Sequence, residues 1–212
     1  MEVFSGFLDL ILHLDQHLRE LVQAHGAWVY GVLFVIVFLE TGVVVTPFLP
    51  GDSLLFVAGT VAAAGDLNVH TLVILLIVAA VAGDSLNFSI GRYLGKRLFR
   101  YDDSMFFKRA HVDRAHAFFE RHGGKAIIIA RFVPIIRTYV PFVAGIGVMD
   151  YRRFLVFNVA GGVLWVTLLT YAGYFFGNLP LVKNNLTAVI LGIIVISVIP
   201  AVIEYWRAKR AA

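Results

Sequence analysis

The chain of 212 residues is 59% hydrophobic and 15% charged, with a formal charge of +4 and a mean hydropathy of +0.82. A soluble core of this size needs far more polar surface, and several apolar runs approach or reach the roughly 20 residues that span a bilayer, so the chain reads as a single integral-membrane domain. Cysteine is absent, which excludes disulfides, thiol catalysis and thiolate-bound metals. The net positive charge reads as membrane charge bias rather than as a nucleic-acid surface.

Residues 3–24 place Phe4, Phe7, Leu8, Ile11, Leu14, Leu18, Leu21 and Val22 at helical spacing, with Asp9, His13, Gln16 and Glu20 on the other side. That pattern predicts an amphipathic helix at the membrane interface. Acids stand where a signal peptide carries its basic region, and no small-residue cleavage site follows, so the segment is expected to be retained. Residues 27–64 then form a long apolar segment broken by Pro47, Pro50 and Gly51. A clean spanning helix is expected over 70–90.

The stretch 92–125 holds nine of the eighteen basic residues, which predicts a cytoplasmic loop. Within it Phe106, Phe107, Ala110, Ala115, Phe118 and Phe119 suggest a second amphipathic helix. Its histidines, in HVDRAHAFFERH, lack metalloprotease spacing and read as a solvated helix face rather than a metal site. Residues 126–148 are apolar but broken by Pro134, Pro141 and Gly145. Spanning helices are predicted at 154–177 and 186–206, before a basic tail, RAKR.

Placing both the basic loop and the tail inside requires an even number of crossings between them. The last two helices already supply it, so 126–148 is expected to enter and leave on the cytoplasmic side as a re-entrant hairpin. The first broken segment is either the mirror image, entering from outside, or a full crossing by 27–46 followed by a short return. FVAG at 56–59 recurs at 142–145, and GRYLG at 91–95 has a counterpart in GYFFG at 173–177. The expected fold is therefore all-α and polytopic. It comprises two inverted-topology repeats, about 1–95 and 104–177, each an amphipathic helix, a broken hairpin and a spanning helix, followed by a C-terminal helix near 186–206. Broken helices meeting near the midplane are a transporter design.

Four ionisable residues fall inside the broken segments: Glu40, Asp52, Arg131 and Arg137. One uncompensated charge at the bilayer centre costs about 2.5–3.5 kcal/mol on insertion scales, whereas two acids and two bases compensate one another. They are either ion pairs pinning two hairpins or the walls of a site. Prolines free backbone groups that survive at lipid depth only against protein or a wet cavity. Pro47, Pro50, Pro134 and Pro141 thus argue for a polar cavity where the hairpin tips meet. Broken helix N-termini and the planar forks of Arg131 and Arg137, with neighbouring Thr138, suit a phosphate or carboxylate group. Glu40 and Asp52 are then placed for proton coupling or gating. Asp84 and Asn87 share a helix face and either line the same cavity or serve helix packing, with Gly83 and Gly91 permitting close approach.

FLETGVVVTPFLPGD at 38–52, GDSLNFSIGRYLG at 83–95, ARFVPIIRTYVPFVAG at 130–145 and FNVAGGVLWV at 157–166 resemble the DedA family, which shares its core with the wider VTT-domain proteins. The resemblance covers almost the whole chain. It implies a bacterial inner-membrane protein of two inverted repeats with re-entrant hairpins, associated with lipid translocation and notably with recycling of undecaprenyl phosphate. The family's two acids and two arginines fall on Glu40, Asp52, Arg131 and Arg137.

The resulting expectation is a flippase-type transporter rather than an enzyme, without a cofactor or metal, in which the arginines hold a phosphate headgroup. Its partners would be that lipid and protons or sodium as coupling ion, and a homodimer is allowed. An uncoupled scramblase, a membrane enzyme acting on lipid phosphates and a packing scaffold are the competing readings.

Overall fold

A computed structural model of the chain describes residues 14–43, 51–98, 109–177, 179–183, 188–189 and 191–192. Among them every regular element is helical. Pro47, Pro50, Phe106, Phe107 and most of the expected C-terminal helix lie outside the described residues.

The first helix, α1 (Leu14–His25), buries Leu18 and Val22, while Leu21 stays 36% exposed, so its inner face is narrower than the sequence pattern suggests. Helices α2 (Trp28–Gly42) and α3 (Gly51–Ala63) flank the first break. At 1.5 Å per residue each is about 20–22 Å long, short of a roughly 30 Å hydrocarbon core. Helix α3 is buried nearly all round, from Ser53 to Ala62. Such all-round burial lets one helix carry a threonine and a serine among apolar neighbours, because protein rather than lipid surrounds it. Thr60 makes use of this by donating to Phe56 O at 3.1 Å and Gly173 O at 3.3 Å.

Helix α4 (Val69–Leu98) follows, and then α5 (Arg109–His122). The His116–Glu120 pair on α5 is well exposed, 3.5 Å apart, as a solvated face requires. The second break holds α6 (Ala126–Ala130), α7 (Pro134–Val143) and a π-type turn, Ala144–Val148. Val133 is extended, φ −121° and ψ 99°, as the residue before a proline must be. Pro141 sits inside α7 and withholds the helical N–H that would serve the carbonyl four residues back. Helix α8 (Tyr151–Phe176) and the short α9 (Pro180–Lys183) are the last elements with a defined range among the described residues.

Among the described residues two helices are long and apolar enough to cross a bilayer, Val69–Tyr93 within α4 and Tyr151–Phe176. The broken segments pack on them crosswise. Helix α3, from the first half, lies on α8 from the second; α7 and its π turn, from the second half, lie on α4 from the first. The contacts are backbone to backbone. A Cβ on Gly59 would collide with the Thr170 carbonyl, and one on Gly173 with the Phe56 carbonyl. In the second half, Gly145 meets the Phe88 carbonyl and Gly91 the Phe142 carbonyl in the same way. The two FVAG segments therefore dock on the two glycine-flanked segments of the opposite halves, in matching register. Small residues permit this approach, which gives dispersion contacts that lipid cannot replace.

Candidate functional site

The four predicted charges converge where the two breaks meet. Glu40 is in the last turn of α2, Asp52 in the first turn of α3, Arg131 in the turn after α6 and Arg137 in the first turn of α7. Arg137 is clamped between carboxylates, donating to Glu40 and, through Nη1 at 3.0 Å, to Asp52 Oδ1. Only 10% of its side chain is exposed, against 1% for Glu40 and 13% for Asp52. A carboxylate at a helix C-terminus faces the negative end of the macrodipole. Glu40 escapes that penalty by also accepting the Gly51 N–H at 3.3 Å, at the positive start of α3. Gly51 is obligatory there, since a Cβ would occupy the Glu40 carboxylate.

Arg131 has a different partner. Its Nη2 donates to Asp84 Oδ2 at 2.5 Å and to Asn158 Oδ1 at 2.5 Å. Asn158 Nδ2 in turn reaches Val81 O at 3.0 Å and Ser85 Oγ at 3.4 Å. Asp84 thus ends as an ion-pair partner of an arginine, which sequence reasoning did not assign. Asn87, beside it on α4, ties the two breaks together by donating to Thr138 O at 2.7 Å and Thr41 O at 3.3 Å. Gly83 presses on Phe38 and Thr41, as close approach of α2 requires. Pro134 opens α7 and sets the aim of its first turn. Pro141 and Gly145 lie farther along, in the buried packing against α4 rather than around the charges.

Trp165 joins the two arginine centres. Its indole N–H donates to Asp52 Oδ1 at 2.8 Å. Its ring centroid lies 5.8 Å from the Arg131 guanidinium carbon and 5.5 Å from that of Arg137, within cation–π range of both. Asn158, Gly161, Gly162 and Trp165 fall at i, i+3, i+4 and i+7, one buried stripe of α8. The glycines leave the groove in which the Arg131 side chain lies. That stripe of one amide, two glycines and an indole within an apolar span was the signal available in FNVAGGVLWV, and it pointed to Asn158 and Trp165.

The assembled cluster holds three carboxylates, Glu40, Asp52 and Asp84, against two guanidiniums. Thr41, Asp84, Arg131, Arg137, Thr138 and Trp165 surround a cavity of about 10 Å³, the space of a single water. Glu40 Oε2 and the Nε of cavity-lining Arg131 are buried without hydrogen-bond partners among the described residues. The site therefore has room for about one water, carries one more acidic than basic side chain, and retains unused acceptor and donor capacity.

Comparison with known proteins bears on the family of the chain. The VTT domain model matches residues 49–175, which include three of the four predicted charges. The chain is 57% identical over 214 residues to the protein DedA of Escherichia coli K12, covering 100% of this chain and 98% of that one. An uncharacterized membrane protein of Mycobacterium leprae is 46% identical over 177 residues, covering 84% of this chain and 79% of its own. The inner membrane protein YqjA of Escherichia coli K12 is 40% identical over 151 residues, covering 71% and 69%. No solved structure matches significantly. The chain belongs to the DedA family of VTT-domain membrane proteins.

Proposed function

We propose that the protein carries a lipid with a phosphate headgroup, undecaprenyl phosphate or a related anionic phospholipid, between leaflets of the bacterial inner membrane. The observation that carries this reading is the closed cluster of two arginines and three acids at the meeting point of two helix breaks. Arg137 and Arg131 supply planar forks matched to phosphate oxygens. The lipid tail stays in the bilayer and reaches the site through a lateral opening between the hairpins. With room for only about one water, the site must open before a headgroup enters.

The charge count favours coupled transport over passive scrambling. An anion entering a cluster with one excess carboxylate meets repulsion until a carboxylate moves away or takes up a proton. Glu40 and Asp52 are the groups placed for that exchange, since both already bind Arg137. Protons are the simplest coupling ion.

The topology follows the same lines. The short helices α2, α3 and α7 form two re-entrant hairpins, and the crossed FVAG packing relates two inverted repeats. The basic loop 92–125 and the C-terminus lie in the cytoplasm, the protein is multi-pass, and a homodimer is compatible with this arrangement. No step in this reading breaks a covalent bond, so the protein is not an enzyme.

Purified protein in liposomes, given labelled undecaprenyl phosphate and a phospholipid panel under set pH gradients, tests the proposal. It predicts movement between leaflets with the lipid chemically intact and with a rate that follows the proton gradient. Cleaved phosphate would establish an enzyme; no movement under any gradient would leave a scaffold. Glu40→Gln and Asp52→Asn should lose the pH dependence of transport while remaining folded; unfolding of both in detergent would make them structural ion pairs.

A further inference from the structure

A second cavity, of about 540 Å³, lies between α4 and the π-type turn before α8, lined by Phe88, Arg92, Gly145, Ile146, Gly147, Met149 and Asp150. It is far roomier than the central one. Phe88 follows Asn87, which holds Thr138 of the central site. Thr138 and Ile146 are separated by about 12 Å of helical rise. The walls are fixed by the backbone. Gly145 abuts the Phe88 carbonyl without room for a Cβ, and Gly147 adopts φ +128°. The π-type turn between them is closed by Met149 N–H to Ala144 O at 3.3 Å.

Two charges of opposite sign face this cavity without pairing. Arg92 and Asp150 are exposed, and neither forms an ion pair among the described residues. Asp150 stands at the N-cap of α8, yet its carboxylate caps nothing there. Next in sequence to these two charges, Tyr93 is 78% and Tyr151 39% exposed, and Arg152 and Arg153 follow, also exposed. Tyrosines and arginines at the ends of spanning helices mark headgroup depth.

We infer that this cavity is a resting site for the headgroup of a zwitterionic phospholipid, with Arg92 on the phosphate and Asp150 on the ammonium. A planar guanidinium fits phosphate oxygens in pairs, and a fixed carboxylate distinguishes a headgroup bearing an ammonium from one without it. The site is separate from the central cluster and does not depend on transport.

The chain has no cysteine, so Ile146→Cys supplies a single reactive position in the cavity wall. In detergent micelles titrated with phosphatidylethanolamine, alkylation of that cysteine should slow saturably. Adding Arg92→Gln should move the midpoint up by about tenfold or more, as loss of a charge-assisted pair does. Adding Asp150→Asn should erase the preference over phosphatidylglycerol. Soluble phosphoethanolamine at the same concentrations should not protect. If Ile146→Cys fails to fold, lipid retained by the natural sequence and by Arg92→Gln, counted by native mass spectrometry, gives the same contrast. Protection or retention indifferent to Arg92 overturns the site; selectivity indifferent to Asp150 overturns the zwitterion; protection by soluble phosphoethanolamine overturns the lipid as its occupant. Because occupancy is read rather than movement, a failed transport assay leaves this result standing.

Discussion

Arg131 and Arg137 sit six residues apart in one broken segment, but their surroundings differ. Arg131 meets one carboxylate and one amide, and that amide is itself held by α4; charge is balanced and the geometry braced. Arg137 meets two carboxyl groups on separate helices, so its centre has more acids than bases and joins α2 to α3 across the first break. A brace resists rearrangement and an acid-rich clamp invites it. Under the proposed transport reading, both guanidiniums face the headgroup, Arg131 as the braced one and Arg137 as the one that exchanges carboxylates for it.

The largest expected effect breaks the brace. Arg131→Ala leaves Asp84 buried without its cation, which should cost about 3–5 kcal/mol of stability, read as a lowered midpoint of unfolding in detergent. Combining it with Asp84→Asn should recover part of that loss; no recovery would separate the two residues energetically.

Trp165→Phe comes next. The ring still faces both guanidiniums, but Asp52 loses an indole donor, a bond to a charged group worth about 1.5–3 kcal/mol. A loss confined to the Asp52 side, with Arg131–Asp84 coupling intact in a double-mutant cycle, would sharpen the contrast. Gly145→Ala should cost about 1–3 kcal/mol by pushing the π turn off α4, measured in the same unfolding assay, and Gly59→Ala should match it if the crossed packing is equivalent in the two halves. Ser85→Ala removes a local bond to Val81 O at 2.7 Å, one turn back on the same helix and of little worth to it, together with a long contact to Asn158, and should change stability by less than about 0.5 kcal/mol.

The sequence made the charges visible because a carboxylate or guanidinium in an apolar run has few reasons to be there. It also made the two long helices and the breaks visible, through hydropathy and proline placement. Pairing was less legible. Glu40, Asp52, Arg131 and Arg137 balance on paper, so nothing demanded a fifth charge, and Asp84 on an unbroken helix could serve packing equally well. Asn158 and Trp165 carry no charge, and an indole in an apolar span is ordinary until the helical stripe around it is laid out. The crossed docking of the FVAG segments was not legible either, because a repeat in sequence states likeness and not which partner each copy contacts.

The most direct measurement compares natural and Arg137→Lys protein in liposomes for movement of labelled undecaprenyl phosphate. Lysine keeps the charge, and the fold with it, but loses the fork. The account predicts a folded variant whose transport falls by more than about tenfold, with headgroup binding weakened in parallel. Transport by the Arg137→Lys variant at the natural rate would contradict it.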